Sequence, residues 1–420
     1  MAICVLRTSL IYSSVLFAFM VSVHHLAPPV IQTRVVFVGS FAYLVFLRYI
    51  HYIFNVVELA SHANVVQLII TLRVIGLTFE ISDYHHAKKT GKAAEKRMID
   101  AVPTLLEKFF YCYHFCGLFT GPYYTYVMLH DSTNAYLKNW NPSSEVFNRL
   151  QRLFWSVPMF VILNKIFPLD GLRTDAVWEM TLFYRFVYAA AVFAVFRARV
   201  YSAWAIAESI CVLLGIGVYP ASSKPKIVVG PTDLAEFNKS LTIENPEMST
   251  EAIVNLDIPK VEASDGFREG IRSWNRSVQS WLALYVHSRS PKAYRVELTL
   301  FVSALWHGTY AGYFMSFLIV PMCTTIEDII FRMVPVEPET GKRPFWFRII
   351  YILTLRSRGF DMLATGFLLK NFHDTHRFWS SIYYWLLIVA LPIYLFDKIN
   401  YFMKKKKDTS TPSTARPKAE

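Results

Sequence analysis

Most of this 420-residue chain is a succession of apolar segments, each about as long as a bilayer is thick. Roughly 20 mostly apolar residues are needed to cross ~30 Å of hydrocarbon as a helix, and roughly nine to eleven segments qualify. They include RVVFVGSFAYLVFLRYIHYIF (34–54), NVVQLIITLRVIGLTFEI (64–81), FFYCYHFCGLFTGPYYTYVML (109–129), WEMTLFYRFVYAAAVFAVF (178–196), VYSAWAIAESICVLLGIGVY (200–219) and LTLFVSALWHGTYAGYFMSFLIVPM (298–322). Hydrophobic residues make up 54% of the chain and charged residues only 18%, too few to cover a soluble protein of this length. In lipid every backbone polar group must be satisfied within the protein, so such segments fold as helices. The expectation is an all-α, polytopic membrane protein. Residues 1–403 form a single integral-membrane domain, and 404–420 form a basic, disordered cytosolic tail. CVLRTSLIYSSVLFAFMVSV (4–23) reads as a first membrane helix, because no small-residue cleavage site follows it.

The net charge is +12, with basic runs in HHAKKTGKAAEKR (85–97) and KKKK (404–407). Such runs mark cytosolic loops that meet anionic headgroups, and no nucleic-acid role is expected of them. An even number of apparent passes separates 85–97 from the polar, proline-containing stretch 220–270, which reads as a loop with at most short structured pieces. Both then lie in the cytosol, and no glycan is expected on Asn238 of the sequon Asn238-Lys239-Ser240. Three spans after that loop would put KKKK on the opposite side. A deeply inserted 267–291 segment, FREGIRSWNRSVQSWLALYVHSRSP, would change the count. This segment is apolar at helical spacing yet rich in Arg, Asn and Gln. It reads as an amphipathic interfacial helix or as one dipping into a protein-lined cavity. Five cysteines in apolar surroundings read as packing thiols, and the pairs His24/His25 and His85/His86 as interfacial residues; no metal site is expected.

Charges inside the apolar runs carry more information. Arg48, Arg73, Glu80, Asp83, Arg185, Arg197, Arg199 and Glu208 fall within or beside candidate spans. A charge at bilayer depth costs several kcal/mol unless it is paired or faces water, so the helices must pack around a polar interior. Snorkelling explains Arg197 and Arg199 but not Glu208 in mid-segment. His307, in SALWHGTYAGYFMSF, is the other polar group placed where lipid-like surroundings would be expected.

The asparagine of WNRSVQSW followed by the histidine of SALWHGTYAGYFMSF resembles the membrane-bound O-acyltransferase family, and its lysophosphatidylinositol acyltransferase branch in particular. GLFTGPYYTY (117–126), FRARVYSAWAIAE (196–208), VQLIITLRVIGLTFEISD (66–83) and GVYPASSKPK (217–226) extend the likeness over most of the chain, from about residue 35 to about 400. The amino end begins later than in that branch, which leaves the number of helices open but not the catalytic pair.

The resemblance implies helices around a central catalytic tunnel, in the endoplasmic reticulum membrane. It implies transfer of an acyl group, polyunsaturated in this branch, from acyl-CoA to the free sn-2 hydroxyl of lysophosphatidylinositol. His307 and Asn275 match the family's catalytic pair. Chemistry supports the roles: apolar surroundings favour a neutral imidazole, the form that accepts a proton from an attacking hydroxyl. An uncharged amide can donate to the thioester oxygen or hold substrate. A thioester is already activated, so no cofactor beyond the co-substrate acyl-CoA, and no metal, is expected. Trp274, Trp281 and Trp306 are candidate walls of the site, and Arg272, Glu208 and Tyr310 candidate substrate contacts.

Two other readings stay open at this point. Buried Arg and Glu in a polytopic protein also suit a transporter or channel, although no repeated half and no paired broken helices are evident. The same family could also act on another acceptor: a different lysophospholipid, a sterol, a diacylglycerol or a protein.

Overall fold

The structure, a computed structural model, describes residues 2–56, 58–91, 97–133 and 137–410, with the side chains of 2–9, 401 and 404–410 excepted. It is helical nearly throughout. The amino-terminal third holds α1 (Ala2–Leu26), α2 (Pro29–Phe54), α3 (Ser61–Thr90), the short α4 (Leu105–Tyr113) and α5 (Tyr126–Asp131). The middle holds α6 (Ser143–Leu150), α7 (Leu153–Ile166), α8 (Asp175–Glu179) and the long α9 (Leu182–Leu213). After the polar stretch, which contributes α10 (Leu234–Ser240) and α11 (Ile258–Ala263), come α12 (Phe267–Arg272), α13 (Arg276–Tyr285), α14 (Arg295–His307) and α15 (Ala311–Met333). The chain closes with α16 (Phe345–Tyr351), α17 (Ser357–Leu369), α18 (Phe372–Ser381) and α19 (Trp385–Ser410).

Among the described residues five helices are long and apolar enough to cross a membrane: α2, α3, the α6–α7 run, α9 and α15. The count becomes six if α18 and α19, bent by 70° at their junction, form one span. That is fewer than the nine to eleven segments read from hydropathy. Part of the difference lies in segments that are apolar without being continuous, and α1 is represented in this count only by Leu10–Leu26, a shorter apolar helix. The stretch 109–129 breaks after α4 into a loop and the short α5, and the 200–219 stretch is the second half of α9. An apolar helix need not face lipid, as α3 shows. Of its apolar window 78% is buried inside the protein, against 6% for the α6–α7 run. The first is the hub of the bundle and the second presents its side chains outward.

The 220–270 stretch carries short structured pieces, as its sequence allows. Tyr219–Pro220 pairs antiparallel with Met248–Ser249, and α10, α11 and two short 3₁₀ turns fill the interval. Val228, Phe237, Ala252, Ile253 and Leu256 are buried beneath it. At the carboxyl end the helix runs on through Ser410, past the lysine run where a disordered tail was expected; residues 411–420 lie outside those described, as do 92–96 of the basic loop. Cys112, Cys116, Cys211 and Cys323 are free and buried, in keeping with packing.

Several of the inward-facing charges share one explanation. A short helix leaves unpaired carbonyls at its carboxyl end and unpaired N–H groups at its amino end. Arg73, fully buried on α3, donates to the carbonyls of Tyr111, Cys112 and His114 at 3.3, 3.3 and 2.6 Å and to that of Cys116, where α4 ends. Its guanidinium also lies over the Tyr124 ring, 4.8 Å from the centroid. Arg356, turned inward at the end of a π-helical turn, donates to the carbonyls of Val261 and Glu262 at the end of α11, at 2.5 and 3.0 Å. Arg185 reaches the Ser381 carbonyl at the end of α18, 2.7 Å away. Acids do the converse. Glu80 accepts from the N–H groups of Tyr126 and Val127 at the start of α5, at 3.1 and 3.2 Å, and Glu327 from those of Phe267 and Arg268 at the start of α12. At the surface the same need is met locally: Thr104 and Glu107 form a capping box on α4, and the Thr104 N–H holds the Glu107 carboxyl below its usual range.

Replacing Arg73 by Met removes the donor to four carbonyls in a site closed to water. The variant is expected to lose at least about 3 kcal/mol of stability. The check is thermal unfolding in detergent; an unchanged midpoint would contradict the assigned role.

Candidate active site

His307 is the last residue of α14, half-buried at the turn into α15. Aromatic rings surround it. Phe317 stacks on the imidazole at 5.3 Å, Phe367 meets it edge-on at 5.0 Å, and Trp306 and Tyr313 lie at 4.7 and 6.1 Å. Among the described residues nothing hydrogen-bonds its ring nitrogens. The helix end that carries it is held from outside. Arg48 of α2 donates to the carbonyls of Leu305 and Trp306 at 2.6 and 2.5 Å, and Trp306 Nε1 donates to the Leu68 carbonyl at 3.1 Å. Gly308 lets the chain turn directly under the Tyr313 ring, which any Cβ there would strike. Gly312 does the same for the contact of α15 with α17: its N–H reaches the Lys370 carbonyl at 2.6 Å, and a Cβ would collide with the carbonyl of Gly366.

Asn275 sits at the amino-terminal cap of α13 with φ 47 and ψ 50, a left-handed conformation that asparagine tolerates. An asparagine at this position ordinarily caps its own helix. Here the cap comes from elsewhere. Asn255, in the folded polar stretch, accepts from the Arg276 N–H through its carbonyl at 2.9 Å and from the Ser277 N–H through Oδ1 at 3.0 Å. Its own N–H donates to Glu208 at 2.9 Å. The Asn275 amide therefore makes no capping bond and, among the described residues, no other side-chain hydrogen bond. The segment 267–291 is thus two helices with a kink at the asparagine, and the second dips into the protein, with Ser277, Val278, Trp281, Leu282 and Tyr285 buried.

The two residues are linked by touching rings rather than by a direct hydrogen bond. Trp274, next to Asn275, packs on Phe196 at 6.0 Å; Phe196 packs on Phe367 at 5.9 Å, and Phe367 on His307. Along this line packed rings occupy the space between the two side chains. Three cavities stand out among the described residues, and neither His307 nor Asn275 lines any of them.

The other candidate contacts divide. Trp274 packs against Phe196, Tyr201 and Trp204, and Trp306 against His307. Trp281 is not a wall: it is fully buried, its N–H is taken by the Leu72 carbonyl at 3.1 Å, and it stacks on Phe37, so it fills the α2–α3–α13 packing. Glu208 does not face substrate either. It is completely buried, with Arg149 and Arg152 at 3.4 and 3.7 Å, and works through Asn255 as a buttress for the Asn275 turn. Arg272 is exposed and makes no ion pair among the described residues. Tyr310 is 46% exposed, with its ring against Tyr313 at 6.0 Å. Asn255 and the Phe196–Phe317–Phe367 rings were not foreseen. Only a polar residue between apolar ones, in VNLDIP, hinted at Asn255. Among the described residues no three His, Cys, Asp or Glu side chains converge as metal ligands would.

Residues 15–369 match the family model of the membrane-bound O-acyltransferases. The chain belongs to that family. Among its relatives, the membrane-bound acylglycerophosphatidylinositol O-acyltransferase mboa-7 of Caenorhabditis elegans is 60% identical over 408 residues, covering 97% of this chain and 90% of the relative. The protein of the same description from Xenopus laevis is 33% identical, covering 89% and 80% of the two chains, and the human one is 31% identical, covering 84% and 76%. Family membership gives the unpartnered His307 and Asn275 a common setting, and it makes Arg48 the residue whose loss should be felt at His307. Arg48→Ala is expected to lower acyl-transfer turnover at least about tenfold, the size of one lost charge-assisted pair of hydrogen bonds. Arg48→Lys, which keeps the charge but cannot fork across two carbonyls, should restore only part of it. Unchanged turnover with Arg48→Ala in isolated membranes would contradict this.

Proposed function

We propose that this multi-pass membrane protein transfers a fatty acyl group from acyl-CoA to the sn-2 hydroxyl of a lysophospholipid, with lysophosphatidylinositol as the preferred acceptor and the endoplasmic reticulum as its site. The observation that carries the reading is the pair of unpartnered polar side chains, His307 and Asn275, held at two braced turns in a chain of this family. The acceptor rests on the shared description of the relatives at 60% and about 30% identity.

The acceptor hydroxyl oxygen attacks the thioester carbonyl while its proton passes to the neutral His307 ring. Negative charge develops on the carbonyl oxygen, and the Asn275 amide N–H, not spent on its own helix, donates to it. The C–S bond then breaks, the C–O bond is complete, and the proton on His307 goes to the departing CoA thiolate, which restores the neutral ring. The long chains need a passage that the rings of Phe196, Phe317 and Phe367 now close, so those rings must turn aside when substrate binds.

The test uses isolated membranes, one labelled acyl-CoA and a panel of lysophospholipids. Lysophosphatidylinositol should be acylated fastest. His307→Ala should lower the rate by about 10²–10⁴-fold at unchanged protein abundance, and Asn275→Ala by about 10²–10³-fold. Full activity of His307→Ala would remove the histidine from the mechanism. Faster acylation of lysophosphatidylserine or lysophosphatidylcholine would overturn the acceptor.

A further inference from the structure

The turn that ends α17 is strained. Lys370 holds φ 68 and ψ −62, and the Asn371 N–H closes onto the Leu369 carbonyl at 2.8 Å, a γ-turn of positive φ that is rare for any residue with a side chain. Glycine would occupy that conformation without cost. What lysine brings is its ammonium, and the turn aims it over the ring of Tyr310, 5.9 Å from the centroid. The Lys370 carbonyl takes the Gly312 N–H at 2.6 Å, so this turn is pinned to the start of α15 and borders the same 308–311 connection that leaves His307.

The arginines near this turn are paired among the described residues. Arg173 is held by Asp170 and, at 2.8 Å, by Asp374; Arg377 is held by Asp175. Lys370 is exposed and makes no ion pair among the described residues. We propose that Lys370 receives the phosphodiester of the lysophospholipid acceptor, with the Tyr310 ring as the floor of that subsite. The proposal rests on the acyl-transfer reading above. The acceptor carries one phosphodiester charge at a short reach from its free hydroxyl, which one ammonium on the turn pinned to the start of α15, just after His307, matches. The donor carries several phosphate charges and calls for more cations. Exposed Arg272 and Arg199 lie on the Asn275 side, Arg199 over Phe196 at 5.6 Å, and are better matched to it.

The test compares Lys370→Gly and Lys370→Arg with wild type in detergent-solubilised membranes, varying lysophosphatidylinositol at saturating acyl-CoA and then the reverse. Lys370→Gly relaxes the backbone while removing the ammonium, so weaker binding cannot be laid to misfolding. The expected result is a KM for lysophosphatidylinositol raised about tenfold or more, with kcat and the KM for acyl-CoA unchanged and Lys370→Arg close to wild type. An unchanged acceptor KM overturns the proposal. So does a loss of kcat alone, or an equal rise in both KM values, since either marks a merely structural turn. Absence of lysophospholipid acylation by wild type would instead refute the reading on which the proposal rests.

Discussion

Every helix that stops inside a membrane protein leaves polar backbone groups that neither lipid nor its own turns can satisfy. In this chain charged side chains from neighbouring helices close those ends. Arginines 48, 73, 185 and 356 donate to carbonyls where α14, α4, α18 and α11 stop, and Glu80 and Glu327 accept from N–H groups where α5 and α12 begin. The pairing follows the helix dipole, with cations at carboxyl ends and anions at amino ends. It also lets a bundle of a few through-going helices carry many short ones in its interior.

The candidate site depends on this arrangement twice. Arg48 and the Trp306 indole fix the end of α14, so His307 is presented into a ring-lined space without a hydrogen bond of its own. Asn255, backed by Glu208 and its two arginines, takes over the capping of α13 and frees the Asn275 amide. In both places the structural duty is met by a neighbour, and the residue suited to chemistry is left unengaged. Unmet hydrogen-bonding capacity beside braced backbone is what a group-transfer site needs, because its donors and acceptors are completed by substrate.

Much of this was legible in the sequence. Length and hydropathy pointed to the class, and the Asn–His pattern pointed to two residues that the structure leaves without side-chain hydrogen-bond partners among those described. The charges in apolar runs were correctly read as needing partners. Their partners were not legible, because carbonyls at helix ends have no sequence signature and lie far away along the chain, as Leu305 does from Arg48. Hydropathy also counts an apolar stretch whether or not it is continuous, as 109–129 shows by breaking after α4. Trp281 as a candidate wall and Glu208 as a candidate substrate contact are both spoken for: the indole N–H by the Leu72 carbonyl, the carboxylate by Asn255 and two arginines.

The account is tested most directly by a structure with a non-transferable thioether analogue of acyl-CoA and lysophosphatidylinositol bound. It predicts that the acceptor hydroxyl lies within hydrogen-bond reach of the His307 ring. The acyl carbonyl-equivalent should face the Asn275 amide, with Phe367 and Phe196 turned aside and the capped helix ends in place. Both ligands bound away from the two side chains, or Arg48 and Asn255 released from their helix ends on binding, would contradict it.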